Sequence, residues 1–253
     1  VTPARVGAAF SRHLQSYATN AHAQRRIALT LARDMRPYVP RQPRIFEAGH
    51  GSGFLTRALV ALEPRALWLN DLSAPLPDLA WETPPARLAG EITRLALPQG
   101  LDLVASASML QWIADPEALI RRFCAVLDTG GVLAVSGFGP ENFPELAALG
   151  LPPGAPSYRD SAALAKALPA GMELLVARDE AIRLHFPSAH ALFTHLRATG
   201  VNGLLGGRMS PAALRSLMAR MDGSGDLTLT YRPSYCLARK SGRDDVSRLQ
   251  DER

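Results

Sequence analysis

The stretch RIFEAGHGSGFLTRAL, residues 44–59, constrains the fold more than any other part of the chain. A short apolar run suited to a buried strand breaks into Gly49, Gly51 and Gly53, and a helical pattern starts at once after them. Strand, glycine turn and helix together make the opening unit of an open α/β sheet, whose carboxyl edge is where ligands bind.

The spacing in that turn, E-x-G-x-G-x-G from Glu47 to Gly53, narrows the ligand. A dinucleotide loop needs a small residue where Phe54 stands, because its helix packs close to the strand and points at pyrophosphate. A phosphate loop needs Gly-Lys-Ser/Thr, which is missing. Alternating glycines instead let the backbone run flat beneath a ligand, and a carboxylate at Glu47 can face a cation. S-adenosylmethionine, with an ammonium, a sulfonium and no phosphate, is such a ligand. Asp71, ending the strand signal RALWLND, can take both ribose hydroxyls, and Glu91 in AGEI can accept from the adenine amino group. An acid at one strand end is often only solvated; the ordered set of three carries the reading.

The remaining pattern predicts a doubly wound, mostly parallel sheet. Residues 5–36 read as N-terminal helices, with Phe10, Leu14, Tyr17 and Ala21 at helical spacing and Pro37 as the stop. Over 43–138 strands alternate with helices; ARLAGEI, LDLVASA and GVLAVSGF read as the third, fourth and fifth strands. The helix DPEALIRRFCAVL has Asp115 as N-cap, Pro116 in its first turn and Gly130-Gly131 past its end. Residues 139–222 read as a lid insertion, helical near 160–168, 188–199 and 210–221, with MELLVARDEAIRLHF as one strand-like piece. GDLTLTYRPSYCLARK, within 225–240, reads as a late β signal inserted at a sheet edge, and 241–253 as a polar tail. The expectation is a single domain over 1–240 with a cofactor core at 43–138.

Composition excludes several classes. The formal charge of the 253 residues is +5, and lysine occurs only at Lys166 and Lys240. The arginines are spread along the chain without a basic block or interleaved aromatics, which argues against nucleic acid as a partner; a mildly basic surface suits an acidic protein partner. Cys124 and Cys236 form no CxxC pair, so neither a disulfide framework nor a zinc site is expected. His185, His190 and His195, five apart, do not share a helix face, so no metal is expected. No signal-peptide or membrane-length apolar run is found, and the expected location is the cytoplasm.

The series FEAGHGSG, NDLS, GEI and DLVASASMLQW resembles the class I S-adenosylmethionine-dependent methyltransferases, and the match narrows to the malonyl-acyl-carrier-protein O-methyltransferase family. AAFSRHLQSYATNAHAQRRIA is similar to that family's N-terminal helix. SASMLQWIADPEALIRRFCAVLDTGGVLAVSGFGPENFPEL is similar to its central segment, HLRATGVNGL to its lid motif and LTYRPSYCLARK to its last strand. His50 stands where the family usually has Cys, and Arg197 where it more often has Lys.

The resemblance implies a Rossmann-like seven-stranded methyltransferase sheet with a helical substrate lid. It implies S-adenosylmethionine as cofactor and S-adenosylhomocysteine as product, with contacts from Glu47, Gly49, Gly51, Gly53, Asp71, Leu72, Glu91, Ile92 and Ser106. Malonyl-acyl carrier protein is the implied partner, and methylation of its free carboxylate the implied first step of pimeloyl synthesis for biotin. A carboxylate needs no general base, so alignment and desolvation carry the chemistry. Tyr17, Gln111, Trp112, Arg159 and Arg197 are the candidates for positioning substrate. Tyr17 and Trp112 also read as core residues, and any one arginine as a solvated surface group. Methylation of a quinone precursor or another small acid, and a methyltransferase-like assembly factor or hydroxylase, stay open as alternatives.

Overall fold

A computed structural model describes residues 21–72, 75–79, 81, 83–151, 155–199, 210–223, 225 and 227–242. The expected helix over 5–20, with Phe10, Leu14 and Tyr17, lies outside them, as do 200–209 and the tail beyond 242.

Helix α1 (His22–Met35) buries Gln24, Ile27, Ala28, Leu31 and Met35 along one face, and Pro37 sits in the short 3-10 turn that follows. Strand β1 (Arg44–Ala48) leads through the glycines into α2 (Phe54–Val60). Next come β2 (Ala66–Asp71), β3 (Ala86–Ala89) and β4 (Leu101–Ser106). Helix α3 (Pro116–Ala125) starts as read, with the Asp115 carboxylate accepting from the Ala118 N–H at 2.8 Å and Pro116 in its first turn. It stops earlier than the periodicity suggests. β5 (Leu127–Phe138) begins two residues later, so Gly130 and Gly131 lie inside the strand's span. They take up a register shift: Leu101 pairs with Leu127, but Leu103 pairs with Val132.

After β5 come α4 (Pro144–Ala148), α5 (Ser161–Lys166), β6 (Met172–Asp179), β7 (Ile182–Phe186), α6 (Ala189–Ala198), α7 (Pro211–Asp222), β8 (Leu227–Tyr231) and β9 (Pro233–Lys240). Asp160, Ser188 and Ser210 cap α5, α6 and α7 by accepting from the N–H three residues on.

The main sheet has seven strands in the order β3-β2-β1-β4-β5-β9-β6. All neighbours among β1 to β5 are parallel, and β9 is antiparallel to both β5 and β6. Two sequence expectations are corrected here. The late β signal does not end at the sheet edge: Arg232 divides it, β9 inserts between β5 and β6, and β8 leaves the sheet. The piece MELLVARDEAIRLHF is not one strand. It divides at Glu180 and Ala181 into β6, the edge strand of the main sheet, and β7, which pairs with β8 in a separate ribbon. Segment 139–222 therefore contributes an edge strand of the main sheet and one strand of the ribbon as well as helices.

Alternate residues of the central strands enter two cores, one on each face of the sheet. Ile45, Leu103, Ala105, Val132 and Ala134 pack with α1 and α2, whereas Phe46, Val104, Leu133 and Val135 pack with α3. This layering leaves the carboxyl ends of β1, β2, β3 and β4 in register along one edge.

Candidate active site

The loop after β1 is held from beneath by β2. The N–H groups of Gly49 and His50 both donate to the Asn70 carbonyl, at 2.9 and 3.0 Å, and the Gly51 N–H donates to the Asp71 carboxylate at 3.1 Å. Asn70 in turn donates from Nδ2 to the carbonyls of Leu88 and Gly90, tying down the end of β3. Gly49 and Gly51 both have φ in the left-handed region, +72° and +50°. A Cβ at Gly49 would lie 2.7 Å from Met109 Cγ, so the loop and the segment after β4 touch there. A Cβ at Gly51 would meet nothing within 4 Å among the described residues. The peptide at Gly51 faces open space, as a backbone passing under a ligand must.

Two carboxylates bound that space. Glu47 is 1% exposed and accepts from the Thr56 hydroxyl at 2.7 Å. Burial pushes its carboxyl up to about 8; the Thr56 hydrogen bond opposes the shift, and the negative charge of Asp71 adds to it. A buried carboxylate raised in this way is stabilised by an incoming cation. Asp71 ends β2, with Leu72, a large apolar side chain 38% exposed, beside it. Leu72 offers an apolar face next to the Asp71 carboxylate, a surface that suits a purine ring. His50 is buried and accepts no charge readily: burial lowers its pKa, and its Nδ1 lies 3.0 Å from the Gly51 carbonyl. The donor set fits S-adenosylmethionine: one carboxylate that can face a cation, one that can take ribose hydroxyls, and a loop with glycine at every second position.

The other predicted cofactor contacts have mixed surroundings. Glu91 is half-buried, takes the Thr93 hydroxyl at 2.8 Å and pairs with Arg94 at 3.3 Å. The Ile92 side chain packs in the core, and its carbonyl accepts from Arg122, which also binds the Leu95 carbonyl. Ser106 is fully buried and donates to the Ala48 carbonyl at 2.9 Å, tying β4 to β1.

Of the predicted substrate residues, Gln111 and Trp112 lie on the 3-10 turn after β4 and line one pocket with Gln24, Ser108, Phe138, Asn142, Phe143, Tyr158, Thr199 and Tyr231. Arg159 is not turned to that pocket's lining: it pairs with Glu117 at 2.5 Å and holds the Glu117 carboxyl below its ordinary value. Arg197 is on the exposed side of α6, while His195, two residues earlier, is buried with Nε2 2.8 Å from the Tyr231 hydroxyl. Tyr17 lies outside the described residues. Sequence reading missed Asn70, Thr56, Met109 and Arg122, which carry no motif of their own and matter only through their contacts. Among the described residues no group of three or more His, Cys, Asp or Glu is placed to hold a metal ion, and no helix is long and apolar enough to cross a membrane.

The sheet order, with its antiparallel seventh strand, and the glycine loop between Glu47 and Asp71 define a class I S-adenosylmethionine-dependent methyltransferase. A family described as "Methyltransferase domain" matches residues 46–135. The malonyl-[acyl-carrier protein] O-methyltransferase of Bacteroides thetaiotaomicron is 31% identical over 254 residues, covering 91% of this chain and 95% of its own. Proteins of the same name from Acinetobacter baylyi and Chlorobium phaeovibrioides are 32% and 34% identical, over 92% and 93% of this chain and 94% and 95% of theirs. The chain belongs to the malonyl-[acyl-carrier protein] O-methyltransferase family. Solved structures share the fold alone. YcgJ of Bacillus subtilis has a TM-score of 0.55 at 13% identity, covering 84% of this chain and 98% of its own. The [4+2]-cyclase SpnF has a TM-score of 0.54 at 15% identity, with 86% and 80% covered.

Proposed function

We propose that this enzyme methylates the free carboxylate of a malonyl group carried as a thioester on acyl carrier protein, forming the methyl ester that opens pimeloyl synthesis for biotin. The observation that carries this reading is identity above 30% to several malonyl-[acyl-carrier protein] O-methyltransferases over nearly the whole chain, the lid segments included. The acyl carrier protein is acidic, and a formal charge of +5 suits it. The two free cysteines, both buried, agree with a reaction in the cytoplasm.

When bound, S-adenosylmethionine supplies a methyl group on a sulfonium and departs as S-adenosylhomocysteine. We assign its binding to Glu47 and the Gly49–Gly53 loop on the amino-acid side, Asp71 at the ribose and Leu72 with Glu91 at the adenine. The malonyl carboxylate is ionised at neutral pH and needs no base. The residues around it have two tasks: to exclude water and to hold the nucleophile in line.

The test is methyl transfer from labelled S-adenosylmethionine to malonyl-acyl carrier protein and malonyl-coenzyme A side by side, read by mass spectrometry. A malonyl methyl ester is the expected product, formed faster on the carrier protein. Tight cofactor binding with neither thioester methylated would overturn the substrate and leave another small acid as the acceptor.

A further inference from the structure

One pocket lies at the turn after β4, lined by Gln24, Ser108 and Gln111 among others. It is small, about 30 Å³, and among the described residues no Arg, Lys, Asp or Glu lines it. Yet three of its lining polar atoms, Gln24 Oε1, Gln111 Oε1 and Ser108 Oγ, are buried without a hydrogen-bond partner among the described residues. Gln24 is 7% exposed and Gln111 4%. Folded proteins leave few such groups unmatched, and two carbonyl oxygens at one cavity call for a ligand.

The orientation of Gln111 is decided by its neighbour. Its Nε2 donates to the Ser108 carbonyl at 2.6 Å, so the atom left facing the pocket is the acceptor. The turn that carries it is rigid: the Ser108 N–H donates both to the Ser136 carbonyl at 3.1 Å and to the Ser136 hydroxyl at 3.2 Å. Other lining groups are already committed. Asn142 Oδ1 accepts from the Arg232 N–H at 3.0 Å, and the Tyr231 hydroxyl is 2.8 Å from His195. The two glutamine oxygens, one from α1 and one from the turn, therefore present an uncharged acceptor pair. Such a pair repels a carboxylate and binds an N–H.

Resting on the proposed substrate, we infer that Gln24 and Gln111 accept a hydrogen bond from the secondary amide of the thioester's carrier arm. The malonyl group has no N–H to offer. The first donor along the chain on the sulfur side is the amide that carrier protein and coenzyme A share. Reading this amide makes the pocket select for a pantetheine-type thioester, and it orients the malonyl carboxylate away from the two oxygens.

The test compares two small substrates: the malonyl thioester of N-acetylcysteamine, which keeps the amide, and the analogue with an ester oxygen in place of the N–H. For the natural enzyme kcat/KM should favour the amide by about tenfold or more, since a site with buried acceptors rejects an analogue that leaves them unpaired. In Gln111→Leu the preference should fall to within about threefold, with S-adenosylmethionine affinity by calorimetry unchanged. Gln24→Leu should do the same and serves if the first variant does not fold. Equal rates for amide and ester in the natural enzyme, as when water alone fills the pocket, would overturn the inference while leaving the reaction intact. Failure to methylate any malonyl thioester would overturn the functional reading and this inference with it.

Discussion

Thr56 donates its hydroxyl to the Glu47 carboxylate across 2.7 Å, and both side chains are inaccessible to solvent. The bond joins the end of β1 to the first turn of α2, so the carboxylate is held where the glycine loop leaves the strand. Burial pushes Glu47 up to about 8 against the pull of Thr56.

A cationic ligand favours the ionised carboxylate, so binding of S-adenosylmethionine should release a proton from Glu47 near neutral pH. Affinity should fall as pH drops below about 8, in the range where the free protein keeps that proton. Calorimetry in two buffers of different ionisation enthalpy counts the released proton. Glu47→Gln should abolish the release and weaken binding. The stability of the free protein should move the other way. The folded state keeps the Glu47 proton up to about 8 and the unfolded chain loses it near 4.5, so this contribution is full below 4.5 and is lost as pH rises to 8.

Asp71 holds the Gly51 N–H at 3.1 Å while ending β2 at the expected ribose position. Replacing it by alanine removes both a ligand contact and a support of the loop. S-adenosylmethionine affinity should drop by about tenfold to a hundredfold, the size of a lost charge-assisted hydrogen bond or two. Asp71→Asn, which can still accept from Gly51, should fall between the two. Unchanged affinity of the alanine variant in calorimetry would remove Asp71 from the site.

Two glycines of the loop should separate folding from binding. Gly49→Ala drives a Cβ to 2.7 Å from Met109 at a φ of +72°, so it should lower stability by about 2–3 kcal/mol. Gly51→Ala has only the left-handed backbone against it, about 1–2 kcal/mol, because no described residue lies within 4 Å of the added Cβ. Its Cβ enters the ligand's space instead. Thermal melts should rank Gly49→Ala as the worse folder. Cofactor titration should show binding lost in a Gly51→Ala protein that still melts cooperatively.

His195 and Tyr231 form a buried pair linking α6 to β8 at 2.8 Å. Burial lowers the His195 pKa to about 4, so the imidazole is neutral in the folded state. The unfolded chain takes up this proton below about 6.5. The stability tied to His195 is thus full above 6.5 and is lost as pH falls towards 4. Tyr231→Phe leaves His195 without its partner and should cost about 1–3 kcal/mol in urea unfolding.

The proposed cofactor side of the site could be put forward from sequence because its parts are local. Glu47 and Asp71 sit where short strands end, the glycines follow the first of them, and Glu91 lies two residues past the end of β3; a parallel sheet brings strand ends to one edge whatever the loops do. The caps at Asp115, Ser188 and Ser210 are local too, since each serves its own helix. The amide pocket was only half legible. Gln111 was singled out beside Trp112, but Gln24 read merely as part of a helix, and no spacing announces that it meets a turn from the far side of the sheet.

By itself, the sequence determined the class of fold and, to within a residue, the ends of β1, β2 and β4, because hydrophobic period, glycine spacing and capping residues act within a few residues of one another; the third strand, read through Ile92, stops at Ala89. Tertiary structure alone decided which strands pair. Met172–Phe186 and Leu227–Lys240 each carry one uninterrupted β signal, and each is divided between the main sheet and the β7–β8 ribbon. An alternating pattern says that a segment has two faces. Its edges are backbone, identical for every residue, and which neighbour they bond is settled by how the cores close around them.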